Sequence, residues 1–406
     1  MIKNRIIKKK VNILNYSFNV LNRAFNILAL FFLLCNLSFS QLKELETNCL
    51  WIVRESMYNK TMISNAINYA DSVGFDIVFI QVRGRGHSFY NSDIVPKHPK
   101  INDEFDPLEY AISISKDKDI EVHAWVNSYI LWSSNYEPKN KNHIYHTKKN
   151  WTESNIHLKS DSKIKLTDLQ SPQWEGVYLA PTHPEVNPYL LSVFTEIIDK
   201  YNVDGIHLDY IRIQDKIYGY NRDGMNLFND IYNINPRDIL RGPEVVSKLY
   251  GISSENVKTI ISAWDQFRRD SITDLVQNTY DMIKISNKEI KLSAAVKPNL
   301  IEARNRWYQD WGTWLSRGII DFVVPMNYFR EISHFNNSVQ IMKSNLAPEE
   351  LNMIIMGIST YNQDAQSAVD KILLTKLHGF EGISIFSWDS HKNNLDWFIP
   401  INNVLN

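Results

Sequence analysis

From residue 49 onward, short apolar runs alternate with longer stretches whose apolar positions recur every three or four residues. The runs Cys49–Val53, Asp76–Val82, Glu121–Val126, Ile206–Asp209, Leu292–Val296, Phe322–Pro325, Met353–Gly357 and Ile383–Phe386 predict eight strands. Runs this short and this continuously apolar suit strands buried on both faces, as in a parallel sheet. The stretches between them read as helices. Thr61–Val73 stacks Met62, Ala66, Ala70 and Val73 on one face. Asp106-Pro107-Leu108-Glu109 is a helix start, with a capping Asp and Pro at the first position, and that helix runs to about Lys116. Tyr189–Tyr201, Trp264–Ile285 and residues 302–317, 334–346 and 365–377 follow with the same period.

Strands alternating with helices in this way predict an α/β fold, a (β/α)8 TIM barrel. An open doubly wound sheet is disfavoured, because no Gly-rich phosphate loop follows the first strand. Two connections, 129–184 after the third strand and 213–262 after the fourth, are long insertions. Both leave the C-terminal ends of strands, the face on which barrel enzymes carry their sites. The second has apolar positions of its own (Leu227, Phe228, Ile231, Val245, Val246, Leu249) and predicts small helices over the mouth. No repeat or low-complexity linker divides residues 41–406, which read as one domain.

Polar residues gather where the strands end. The most crowded stretch is 203–212, where Asp204-Gly205 starts a strand that ends in His207, Asp209 and Arg212. Glu55 follows the first strand, Arg83 and His87 the second. His123, Trp125 and Asn127 belong to the third, and Lys297 to the fifth. Asn327 and Tyr328 close the sixth, Trp388 and Asp389 the eighth. Carboxylates facing each other among Arg, His, Asn and aromatic side chains suit glycoside hydrolysis, which uses one acid to protonate the leaving oxygen and a second carboxylate at the sugar carbon. Asp209 is expected to be the ionised one, held so by Arg212. Asp389, and after it Glu55, are the expected proton donors, across the mouth from the fourth strand. The remaining strand-end residues are expected to bind substrate.

A metal is not expected, since the histidines show no His-x-x-x-His spacing. No cofactor is expected either. No Gly-x-Ser-x-Gly elbow is present, which argues against an α/β-hydrolase.

Residues 1–40 change the picture of where the chain works. They hold six basic residues and no acid, then an apolar run from Ala24 to Leu34 and Ser38-Phe39-Ser40. That order predicts an export signal cleaved after Ser40, and a periplasmic or extracellular protein of the cell envelope. The alternatives are an uncleaved anchor, for which the run is short, and lipid attachment at Cys35, which Leu34 disfavours. Beyond residue 40 the formal charge is −1 − (+6) = −7, which argues against nucleic acid as a partner. Cys49 is then the one cysteine left; it can form no internal disulfide and is expected in the core.

The stretches QVRGRGHSFYNSD (81–93), EVHAWVNSY (121–129), THPEV (182–186), VDGIHLDYIR (203–212), WDQFRRD (264–270), LSAAVKPN (292–299), DWGTWLSRGIIDFVVPMNYF (310–329), MGISTYNQ (356–363) and FSWDS (386–390) resemble, in order, the glycosyl-hydrolase-like 10 family of exported bacterial barrel proteins. The resemblance implies a barrel with glycan-active members, some linked to cell-wall glycan. One departure is His87, where similar sequences often have Asp after Arg-Gly. The fourth strand is also similar to that of family 18 chitinases in Asp204-Gly205 and Asp209. Here, however, His207 replaces the middle Asp and Ile211 stands in the place of the essential Glu. The expected protein is an exported glycoside hydrolase cleaving O-glycosidic bonds in a polysaccharide, with cell-wall glycan among the candidates. The alternative is a non-catalytic glycan-binding protein on a degenerate barrel.

Overall fold

The structure, a computed structural model, describes residues 43–168 and 174–405; the expected export signal lies outside them. Eight parallel strands carry the fold: β1 (Thr47–Ile52), β2 (Ile77–Gly84), β3 (Glu121–Asn127), β4 (Gly205–Asp209), β5 (Lys291–Val296), β6 (Phe322–Pro325), β7 (Ile355–Ser359) and β8 (Gly382–Phe386). They pair in the order β7-β8-β1-β2-β3-β4-β5-β6. Two parallel bridges, Val323 with Ile354 and Met326 with Gly357, link β6 to β7 and nearly close the ring. All eight expected strands are present, the seventh two residues later than its apolar run suggests.

The period of two along each strand explains the interior. Cys49 and Trp51 of β1, Ile77 and Phe79 of β2, Trp125 of β3, Ala295 of β5, Phe322 and Val324 of β6 and Ile355 of β7 form one cluster inside the barrel. Alternate residues, such as Leu50, Val78, Ile80, Ala124, Ile206 and Leu208, join the larger core between the strands and the surrounding helices. Cys49 is fully buried, as expected.

The strands are fastened at the bottom by a repeated device. Asp76, Asp204 and Asp321 precede β2, β4 and β6, and each accepts a hydrogen bond from a backbone N–H of the preceding strand: Asn48 at 2.6 Å, Val122 at 2.7 Å and Leu292 at 2.6 Å. Asp204 is therefore structural. Gly205, next to it, is pressed against a ring: a Cβ there would lie 2.3 Å from His123 Nδ1. Gly205→Ala is expected to lower stability by about 1–3 kcal/mol, read as a fall in the urea midpoint at constant slope.

The helices match expectation with two differences. The helix before β5 starts at Ser254 and runs 32 residues to Ile285. The pattern at 302–317 divides into Leu300–Arg306 and Trp311–Ser316, because Tyr308 between them takes a positive φ of 55°. Asp106 caps its helix as read, accepting from Glu109 N at 3.1 Å.

Residues 210–253 hold short helices at Arg222–Tyr232, Pro236–Ile239 and Pro243–Tyr250, packed on a small core of Tyr220, Met225, Phe228, Ile234 and Trp264. Residues 128–185 contain an antiparallel ribbon in which Ile130–Trp132 pairs with Val177–Tyr178. That ribbon matters for the site.

Candidate active site

A cavity of about 480 Å³ opens at the C-terminal ends of the strands. Asp209, the last residue of β4, stands in its wall and is 6 % exposed. One carboxylate oxygen accepts from Trp125 Nε1 at 3.2 Å, the other from the backbone N–H of Tyr210 at 2.6 Å. Burial raises its pKa to about 6, against the smaller lowering effects of those hydrogen bonds and of Arg212. Tyr210 is turned by a positive φ of 51°, and Arg85 in the same cavity by one of 52°. Such conformations cost a non-glycine residue on the order of 1–3 kcal/mol and gather where side chains are aimed for function.

A second carboxylate lines the same cavity. Glu175 comes from the ribbon that follows β3, between Trp174 and Gly176. Trp174 Nε1 is held by Asp161 at 3.4 Å, and a Cβ at Gly176 would lie 2.4 Å from the carbonyl oxygen of Trp132. The close chain approach therefore needs glycine and fixes the residue before it. Glu175 accepts from Arg212 Nη2 at 2.7 Å and from the Tyr178 hydroxyl, with Lys297 Nζ 3.9 Å away. Burial would raise its pKa, but Arg212, Lys297 and these hydrogen bonds outweigh it and bring the value down to about 2. Lys297, lowered to about 8 by burial and by Arg212, lies over the Trp307 ring.

The role expected of Arg212 is thus corrected. It pairs with Glu175 and lies against the Tyr210 and Tyr178 rings at 4.9 and 5.9 Å, and it does not hold Asp209 ionised. Two acids in one cavity are left with environments that drive them apart, one toward the protonated form and one firmly ionised.

Of the other strand-end residues, Trp125, Asn127 and Tyr328 line this cavity. Tyr328 stacks on Phe386 with ring centres 5.3 Å apart, and Asn127 accepts from Gln81 Nε2 at 3.1 Å.

The rest lie elsewhere. Asp389 is turned away, accepting from Val53 N at 2.7 Å, Ser56 Oγ at 2.6 Å and Lys392 Nζ at 3.0 Å. Its neighbour Trp388 packs on Tyr69 and Phe398. Glu55 pairs with Arg54 at 3.0 Å beside an adjoining groove, which His87 also lines. His207 and His123 are buried inside the barrel. His207 stacks on Phe79 at 4.1 Å and bonds Ser293 Oγ at 2.8 Å; His123 bonds Glu121 at 3.0 Å. Burial lowers the pKa of both, opposed at His123 by the Glu121 carboxylate. Arg83 donates to the carbonyls of Asn127 and Ser128 from behind the strands, and Asn327 donates to Phe335 O at 3.1 Å. These six placements correct the substrate-binding roles expected of Arg83, His123, His207, Asn327 and Trp388 and the acid role expected of Asp389.

The lining residues that sequence reasoning missed are Glu175, Tyr210, Tyr361 and Phe386; Arg54, Gln81 and Arg85, legible as polar residues at the ends of the first and second strands, line the cavity too. Among the described residues no group of three or more His, Cys, Asp or Glu side chains is placed to hold a metal ion.

A nearly closed β/α barrel whose C-terminal mouth holds a cavity lined by aromatic rings and two carboxylates defines the class. The chain belongs to the glycosyl hydrolase-like 10 family, which residues 46–372 match. Among its relatives, glycosyl hydrolase YngK of Bacillus subtilis (strain 168) is 22% identical over 304 residues, 69% of this chain and 51% of YngK. Glycosyl hydrolase DigH of Escherichia coli (strain K12) is 21% identical over 293 residues, 68% of this chain and 59% of DigH. This chain therefore spans a little over half the length of these relatives. Among solved structures, the glycoside hydrolase domain of PgaB (BpsB) from Bordetella bronchiseptica superposes with a TM-score of 0.64, at 10% identity, over 89% of this chain and 99% of that domain. The catalytic domain of beta-amylase from Paenibacillus polymyxa gives 0.54 at 9% identity, over 87% and 96%. At such identities the likeness concerns the fold.

Proposed function

We propose that this protein is an exported glycoside hydrolase that cleaves O-glycosidic bonds in a polysaccharide, with Asp209 as proton donor and Glu175 as the ionised partner. The observation that carries this reading is the pair of carboxylates in one cavity with pKa values pushed to about 6 and about 2. Asp209, protonated below about pH 6, gives its proton to the leaving oxygen. Glu175, held between Arg212 and Lys297, attacks the sugar carbon in a retaining reaction, or activates water in an inverting one. Trp125, Tyr328, Tyr361 and Phe386 supply ring faces for the sugar, and Gln81, Asn127 and Arg85 supply polar contacts.

The test is incubation of the protein with a panel of polysaccharides, including peptidoglycan glycan strands, with detection of new reducing ends. NMR of the first anomer released separates retention from inversion. A glycan-binding protein without turnover is the second reading, favoured by His87 and Ile211, which occupy acid positions in the two sequence patterns the chain resembles. Binding of panel glycans with no reducing ends from any of them would establish that reading instead.

Export rests on the basic-apolar-small order of residues 1–40. Mass spectrometry of protein secreted by an expressing bacterium is expected to find an N-terminus at Gln41; an intact Met1 or an acylated Cys35 would contradict it.

A further inference from the structure

A second groove, about 590 Å³ in volume, adjoins the catalytic cavity and shares Arg54 and Arg85 with it. Its walls carry Arg54, Arg85, Lys97, Lys100 and Lys139 against two acids, Glu55 and Glu137, a formal balance of 5 − 2 = +3. The chain beyond residue 40 carries −7, so the groove runs against the charge of the whole. Both acids are already engaged. Glu55 pairs with Arg54 at 3.0 Å, and Glu137 lies 4.0 Å from His146. Lys97 is anchored by the carbonyls of Asp103 and Phe105 at 2.8 and 3.2 Å, which leaves its charge without a counter-ion there. Lys100 lies over the Tyr58 ring at 5.0 Å, and Arg85 is steadied by Ser133 Oγ at 2.8 Å.

A cluster of surface lysines is ordinarily a solvated face. Here the cations line a concave wall with Trp132 and Tyr136, so their field is focused into the space between them. The groove's own imidazoles respond to it. His87 and His98 are lowered to about 4 by burial first, then at His87 by His98, Arg83, Arg54 and Arg85, and at His98 by Arg54, Lys100 and Arg85. Arg54 and Arg85 line both spaces, so the groove and the cavity lie side by side, as adjacent subsites of one extended ligand require.

We propose that this groove is a subsite for an anionic sugar, one bearing a carboxylate, in the polymer whose bond is cleaved in the adjoining cavity. The inference rests on the hydrolase reading for its polymer, but its test does not need turnover. Calorimetry with the full chain would compare oligogalacturonate and a hyaluronan hexasaccharide with their carboxyl-reduced counterparts. Each acidic form is expected to bind roughly tenfold more tightly than its neutral counterpart, with the difference shrinking at high salt.

The double variant Lys100→Ala/Lys139→Ala, both side chains exposed, should keep its circular dichroism and lose roughly fivefold in affinity for the acidic forms alone. Equal affinity for charged and reduced forms in both pairs would overturn the subsite. Cleavage of neutral glycans together with that equality would overturn the subsite and leave the hydrolase standing. An acid preference with no cleavage of any glycan would do the reverse.

Discussion

Asp209→Asn is expected to fold normally and to lose glycosidase activity by on the order of 10²–10⁴-fold, the usual contribution of a positioned general acid. The pH profile separates this from a loss of binding. In the wild type, kcat/KM should hold below pH 6 and fall above it, as Asp209 loses its proton near its pKa of about 6. In Asp209→Asn that alkaline limb should be gone, and aryl glycosides with good leaving groups, which need no protonation, should recover most of the lost rate. Stability moves the other way. Because burial raises the folded-state pKa above its unfolded value, the protonated carboxyl favours the fold at low pH. That favour is lost as pH rises through about 6. At near pH 8 the charged, buried carboxylate costs on the order of 3 kcal/mol, so the Asn variant should be at least as stable there as the wild type. Unchanged turnover in folded Asp209→Asn would remove Asp209 from the mechanism.

Glu175→Gln is expected to lose activity by a comparable or larger factor, on the order of 10³-fold, for a different reason. In the proposed mechanism its ionised oxygen is the group that acts at the sugar carbon. In a retaining enzyme, added azide should restore turnover and yield a glycosyl azide of inverted configuration, which the Asp209 variant should not do. Stability again distinguishes the two sites. Arg212 is 3 % exposed, and Gln leaves it hydrogen-bonded but without a counter-charge. The variant should therefore unfold at a lower temperature than the wild type, opposite in sign to Asp209→Asn. Near-normal hydrolysis by Glu175→Gln would place the second carboxylate elsewhere.

Much of this architecture is written in local pattern. A strand buried on both faces must be apolar throughout, so β1 to β8 stand out from the helices around them. Asp209 is legible because it is the last residue of β4, where a polar side chain can reach the mouth. His207 lies two residues earlier on the same face, which sets it about 7 Å deeper, inside the packed barrel. His123 is deeper still, level with Gly205. Proximity in sequence to a strand end is thus a poor guide to depth. Arg83 was misread because a bulge between Gln81 and Arg83 breaks the alternation of β2, so that Gln81 faces the cavity and Arg83 does not. Asp389 was misread because the chain turns after Phe386 and its carboxylate is used to tie Val53 and Ser56. Glu175 carried no signal of period or motif. Its place depends on a two-residue strand and a glycine packed on Trp132, contacts that exist only once the long connection after β3 has folded.

The separation in pKa between the two carboxylates of this cavity can be measured without a substrate. Carboxyl carbon NMR of protein labelled at Asp and Glu, titrated with acid, reads each group directly. One aspartate is expected to titrate near pH 6, its signal absent from Asp209→Asn, and one glutamate to stay ionised to about pH 2, its signal absent from Glu175→Gln. Should both groups titrate together near pH 4, where solvated carboxyls do, no division into acid and ionised partner would exist at this site.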